Sequence, residues 1–179
     1  MEFDPPEEST GGFLSTEGAY HVSVLSINED ISEQYPWAQF EAVFEVLDGT
    51  AKGQEKKTTT QKFSRPSLKH KDEGQMAKEI IARFLLATGL MSPSQRGKTG
   101  QHFELSEAVG RQLVVKFVHG KDPKYLAINY SDLWHVDDPE VSGVPKSKAA
   151  VDTIPPEQRG VGAGAAVKGG QPKLDPAAL

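Results

Sequence analysis

Cysteine is absent from the 179 residues, which removes disulfide frameworks, thiolate zinc sites and cysteine nucleophiles together and fits a reducing compartment. No apolar run approaches the roughly 20 residues that a membrane-spanning helix needs. The first eight residues, Met1 to Glu8, are acidic and lack the apolar stretch of a secretory signal. A cytoplasmic protein without membrane contact is expected. Catalytic signatures are missing as well. His21, His70, His102, His119 and His135 are scattered with no metal-ligand spacing, and there is no nucleophile elbow, His-Glu-x-x-His motif or phosphate loop. Gly162 and Gly164 neither follow a strand pattern nor precede a helical one, and the adjacent carboxylates of Asp137 and Asp138 point apart in extended backbone. These absences point to a binding module rather than an enzyme, with no catalytic residue, metal or cofactor.

The hydrophobic share, 37%, is low for a wholly folded chain, so part of it is expected to lack a core. Two stretches account for the shortfall. Residues 1–12 are polar, end on Gly11-Gly12 and read as a flexible N-terminus. Residues 139–179 carry six prolines, six glycines and seven alanines and no aromatic, too little apolar surface to offset chain entropy. They read as a disordered tail, leaving 13–138 as the folded domain.

Within that domain the apolar periodicity is mostly two. Tyr20, Val22 and Val24 alternate with polar residues, and Leu25 and Ile27 then change parity, which predicts a bulge or a two-sided stretch. From Trp37 to Leu47, Phe40, Ala42, Phe44 and Val46 share one face against Gln39, Glu41 and Glu45. Asp48-Gly49 predicts a hairpin after it. The run Gln54–Phe63 is carried by the β-branched Thr58-Thr59-Thr60 and is almost free of apolar residues before Phe63, as on an edge or open-face strand. Met76–Leu90 is a helix, with Met76, Ile80, Ile81, Phe84, Leu85 and Ala87 on one stripe and Gly89 as its stop. Leu105–Val109 is a short turn. Gln112–Val118 and Tyr125–Tyr130 are two further strands. The expected fold is mainly β with one main helix: five strands in an OB-fold-like barrel, the helix inserted between strands 3 and 4.

Charge is distributed unevenly. The net charge is −5, yet residues 1–51 hold eleven acids and no Lys or Arg. Residues 52–71 reverse this with seven bases, among them Lys52, Lys69 and Lys71, against Glu55 alone. Solvated edge strands often look like this, and lysines protect such edges from aggregation. Here, however, Lys56, Thr58, Thr60 and Lys62 share one parity, with Phe63 and Arg65 close behind. A cationic track beside aromatic platforms is what sequence-independent binding of single strands requires. The candidate nucleic-acid contacts are therefore Lys56, Lys57, Lys62, Arg65 and Lys116 for phosphates, and Trp37, Phe63 and Tyr125 for bases. Tyr35, Tyr130 and Trp134 are further displaced aromatics, while Phe40, Phe44, Phe84 and Phe117 belong to the core.

Several segments also carry a family likeness. Gly18-Ala19-Tyr20-His21-Val22-Ser23-Val24, then Phe40 to Gly49, Gly53, Phe63, the helix ending Leu85-Leu86-Ala87-Thr88-Gly89-Leu90, and Val109-Gly110-Arg111 resemble a family of small phage proteins encoded beside recombination and replication genes. That family is similar to phage single-stranded DNA-binding proteins, and the likeness spans about residues 12–136. It implies single-stranded DNA as ligand, phage recombinase or replication proteins as partners, and the bacterial host cytoplasm as location. It supplies no contact residues. The chain lacks the acidic, aromatic-tipped end of bacterial single-strand binders. The alternative is a protein–protein interaction module, a recombination accessory or phage assembly factor, whose acidic first 51 residues dock a basic partner. The charged edge strand leaves homo-oligomerisation open.

Overall fold

The computed structural model describes residues 12–66 and 71–159. The expectations for residues 1–11, for Lys69 and His70, and for residues 160–179 lie outside the described residues. The element order is β1 (Gly18–Asn28), β2 (Ala38–Gly49), β3 (Thr58–Ser64), α1 (Lys71–Ala87), β4 (Gln112–His119) and β5 (Leu126–His135), followed by a four-residue α2 (Lys148–Val151). Short 3-10 turns lie at Pro93–Gln95, Leu105–Ala108 and Pro139–Val141. The five strands form one antiparallel sheet in the order β3-β2-β1-β4-β5.

The period-2 pattern sorts side chains between the two faces of this sheet. Tyr20, Val22 and Val24 of β1, Phe40, Ala42, Phe44 and Val46 of β2, and Leu113, Val115 and Phe117 of β4 are all buried together. Phe84, Leu85 and Ala87 of α1 join the same core. Its densest part is aromatic: Phe40 and Phe63 stack at 4.4 Å with planes 10° apart, and Phe84 lies 5.4 Å from the first and 5.1 Å from the second. The parity change in β1 is a bulge at Leu25, since Val24 faces Phe44 while Ser26 faces the next residue back, Val43.

β5 runs to His135, five residues past the expected Tyr130, and β3 begins at Thr58 instead of Gln54; two further boundaries differ for identifiable reasons. Asp48-Gly49 does not turn the chain. Gly49 ends β2 opposite Tyr20, and a side chain there would sit 2.3 Å from Tyr20 Cδ1 and 2.9 Å from the Ala19 carbonyl oxygen. This glycine makes room for a neighbouring ring, and the reversal into β3 comes later, through Gly53 (φ 77°) and Lys56 (φ 70°). Lys56 N–H donates to Val46 O, and Val46 N–H donates to Lys57 O. The helix begins at Lys71, one turn before its apolar stripe does. It stops as expected: Gly89 N–H reaches Leu86 O and Leu90 N–H reaches Leu85 O, closing a Schellman end with Gly89 left-handed.

The largest correction concerns residues 139–159, which composition assigned to a disordered tail. They are folded against the outer side of β1, β4 and α1. Val141 and Ile154 are buried and Gln158 is fully enclosed. The Gln158 side-chain amide donates to Gln112 O at 2.5 Å and Ala87 O at 3.3 Å, and its oxygen accepts from Gln112 N–H at 3.4 Å. Composition misled here because a strap laid along an existing sheet needs no core of its own. Hydrogen bonds to the domain hold it instead.

Candidate nucleic-acid interface

With the outer sides of β1 and β4 partly covered by the strap, the outward side of β2–β3 is left to solvent. Thr58, Thr60, Lys62 and Ser64 point outward from β3, while Thr59, Gln61 and Phe63 point inward. Cross-strand pairing sets Glu41 opposite Lys62, Val43 opposite Thr60 and Glu45 opposite Thr58. The cationic row is therefore matched by an acidic row one strand away. Lys62 Nζ lies 3.7 Å from Glu41 Oε2 and 4.4 Å from the centre of the Tyr35 ring. Lys62 is thus half-buried and partly neutralised rather than a free phosphate contact.

The connection between β1 and β2 is anchored by the buried Ile31, whose carbonyl accepts from Tyr35 N–H, and Ala38 N–H then returns to Tyr35 O. This turn presents Tyr35 edge-on to Trp37, with ring centres 6.2 Å apart and planes at 73°. Trp37 remains 52% exposed. Its carbonyl accepts from Arg65 N–H at 2.7 Å, which brings the exposed Arg65 to the same corner. Trp37, Lys62 and Arg65 are thus gathered together, as Tyr35 is with them.

Lys56 and Lys57 stand at the other end of β3, about 20 Å away by the rise of a strand. Tyr125 belongs to the β4–β5 connection, where Tyr125 N–H donates to Asp122 O and Gly120 N–H donates to Tyr125 O. The turn fixes the backbone while the ring stays 65% exposed. Lys116 is exposed on β4 opposite Ala19 of β1, so the width of β1 separates it from β2. It is not part of the β2–β3 face.

Phe63 is the one candidate whose role changes outright. It is only 2% exposed and both neighbouring rings, Phe40 and Phe84, already cover it. No base can reach it. Its inward parity was visible in the sequence, but an aromatic beside lysines looks the same whether it faces ligand or core.

Sequence reasoning missed the buried polar cluster beneath the strap. His21 Nδ1 accepts from Ser147 N–H at 3.1 Å, and its Nε2 lies 2.8 Å from Gln112 Oε1. His135 repeats the arrangement: Nδ1 accepts from Asp137 N–H at 3.1 Å, and Nε2 donates to Gln158 O at 3.1 Å. Both rings thus carry their proton on Nε2. Burial, the main cause, holds the pKa of each below the usual histidine value. Lys146 donates to Val141 O and Val144 O, and burial lowers its pKa too. No periodic signal marks such contacts, of which that between His21 and Ser147 joins residues 126 positions apart.

Among the described residues, no three His, Cys, Asp or Glu side chains come together as a metal site. No helix among them is long and apolar enough to cross a membrane. No protein-family model and no curated protein matches the chain.

Proposed function

We propose that this chain is a sequence-independent single-stranded DNA-binding protein built on an OB-like barrel. The barrel reading is supported by the strand order together with one bond between the edge strands: the Gln61 side-chain amide donates to Leu126 O at 3.0 Å, joining β3 to β5. Proteins of this architecture hold oligonucleotides on the face of strands 2 and 3 and with the loops joining strands 1–2 and 4–5. The observation that carries the function is that exposed aromatics, Trp37 and Tyr125, occupy those two loops. Bases stack on them, while Lys56, Lys57 and Arg65 meet phosphates at the two ends of β3. Glu41 and Glu45 keep phosphates away from the middle of the face. The role we infer is coating of single strands during phage replication or recombination in the host cytoplasm, alongside recombinase or replication proteins, as the family resemblance implies.

The test is titration with oligothymidylate while following tryptophan fluorescence. Quenching is expected, and Trp37→Ala and Tyr125→Ala should each weaken binding by about 1–3 kcal/mol. With about three to four effective cations, the slope of log K against log salt should be shallow, about −2 to −3. Absence of quenching and of a gel shift at low salt rules the reading out. The interaction-module reading is favoured by one observation, the Glu41–Lys62 pair, which ties the central lysine to a carboxylate of its own sheet. Charge reversal at Lys57 and Arg65 separates the two, since only DNA binding depends on those side chains.

A further inference from the structure

We propose a second nucleic-acid contact at the bulge of β5, formed by Tyr130 with Lys116; it rests on the single-strand-binding reading above. The pairing of β4 with β5 breaks abruptly. Phe117 faces Ile128, but Val115 faces Leu133, so Lys116 alone spans the four residues Asn129 to Asp132. At the centre of this loop Tyr130 adopts φ 50°. A bulky side chain is strained in left-handed backbone, where glycine or asparagine would sit without cost.

The surroundings hold this conformation in place. Asn129 Nδ2 donates to Asp132 Oδ2 at 2.5 Å across the base of the loop, and Arg83 Nε donates to Ser131 O at 3.3 Å from α1. What the scaffold supports is a ring that is 76% exposed, and among the described residues it has neither an aromatic neighbour nor a hydrogen bond from its hydroxyl. A tyrosine held against its backbone preference, yet left mostly exposed, has no role in the core. Strained residues and bulges that re-aim a side chain concentrate at binding sites. Lys116 stands opposite the loop, exposed, with no carboxylate partner among the described residues, and its neighbour across β1 is the small Ala19. Tyr125 lies five residues earlier, in the turn just before β5, so the two rings flank the first residues of that strand. The ligand chemistry is that of a single-stranded nucleic acid, a base on the Tyr130 ring and a phosphate on Lys116.

This contact lengthens the bound tract instead of founding it, which fixes the experiment. Affinities of the full chain are measured for oligothymidylates of about 6 and about 16 nucleotides, near the two ends of the range OB folds occupy. Tyr130→Ala and Tyr130→Gly should weaken the longer one about 5- to 100-fold and leave the shorter one within about twofold. Tyr130→Phe should bind as the parent does. Lys116→Ala should lessen the salt slope for the longer one by about 0.7. Tyr130→Gly should also raise the thermal midpoint, because glycine relieves the strain. A raised midpoint with unchanged affinity for the longer oligonucleotide overturns the inference, as does an equal loss on both lengths. If the parent protein binds neither, the single-strand reading itself fails and takes this contact with it.

Discussion

Phe63 and Lys62 are neighbours in sequence and opposite in consequence. Lys62 divides its charge between Glu41 and the Tyr35 ring, and Phe63 is buried, stacked on Phe40 with Phe84 against the side of the pair. Phe63→Ala should therefore destabilise the fold by about 3–5 kcal/mol, the usual cost of an aromatic-sized cavity. Denaturant unfolding measures it; a loss under about 1 kcal/mol would show the stack to be loose. At this scale the sequence was most informative about parity. The inward set of β1, β2 and β4 was legible from alternation alone, as was the parity change at Leu25, which the register resolves as a bulge. The side on which a particular aromatic sits was legible too, but its partners were not. Whether Trp37 or Phe63 meets solvent depends on which rings arrive from α1 and β2, and those contacts are long-range.

Among the elements, the strap of residues 139–159 departs furthest from its composition. It meets two buried histidines, with Ser147 N–H donating to His21 Nδ1 and Gln158 O accepting from His135 Nε2; Asp137 N–H, just before the strap, donates to His135 Nδ1, so both Nδ1 atoms must stay unprotonated. Lys146 and Asp48 face His21, with opposite effects on its charge, and Asp137, Asp138 and Arg159 face His135. Both histidines have folded-state pKa values below the ordinary one. The folded chain thus takes up these protons later than the unfolded chain, and unfolding is favoured as acid is added. Stability should be fully present above pH ~6.5, decline as pH falls below it, and level off once the folded-state values are passed. Thermal midpoints from pH 8 to pH 5 check this, with His21→Gln and His135→Gln flattening the profile. A midpoint independent of pH across that range would contradict it. No helical or alternating signal marks Ser147 or Gln158, so this element was beyond sequence reading. The helix and strands were within it, to within a few residues at their ends.

For the molecule as a whole, the order of five strands and one helix could be read from periodicity and turn chemistry, but the path of the chain after β5 could not. Removing residues 139–179 would uncover Val114, His21 and the start of β4, all enclosed now. That truncation should lower the thermal midpoint and increase binding of a hydrophobic dye, and an unchanged midpoint would show the strap to be a passenger. There is also a consequence in time. The amide and carbonyl of Gln112 find their partner in Gln158, some 46 residues further along the chain. At about 5–20 residues per second, a ribosome needs roughly 2–9 s to deliver it. Throughout that interval a nascent chain shows the outer side of β4 to whatever is nearby, and for its last 23 residues, from His135 to Gln158, every strand is already made. A chaperone, or a second nascent copy, has that window in which to bind what the strap later closes.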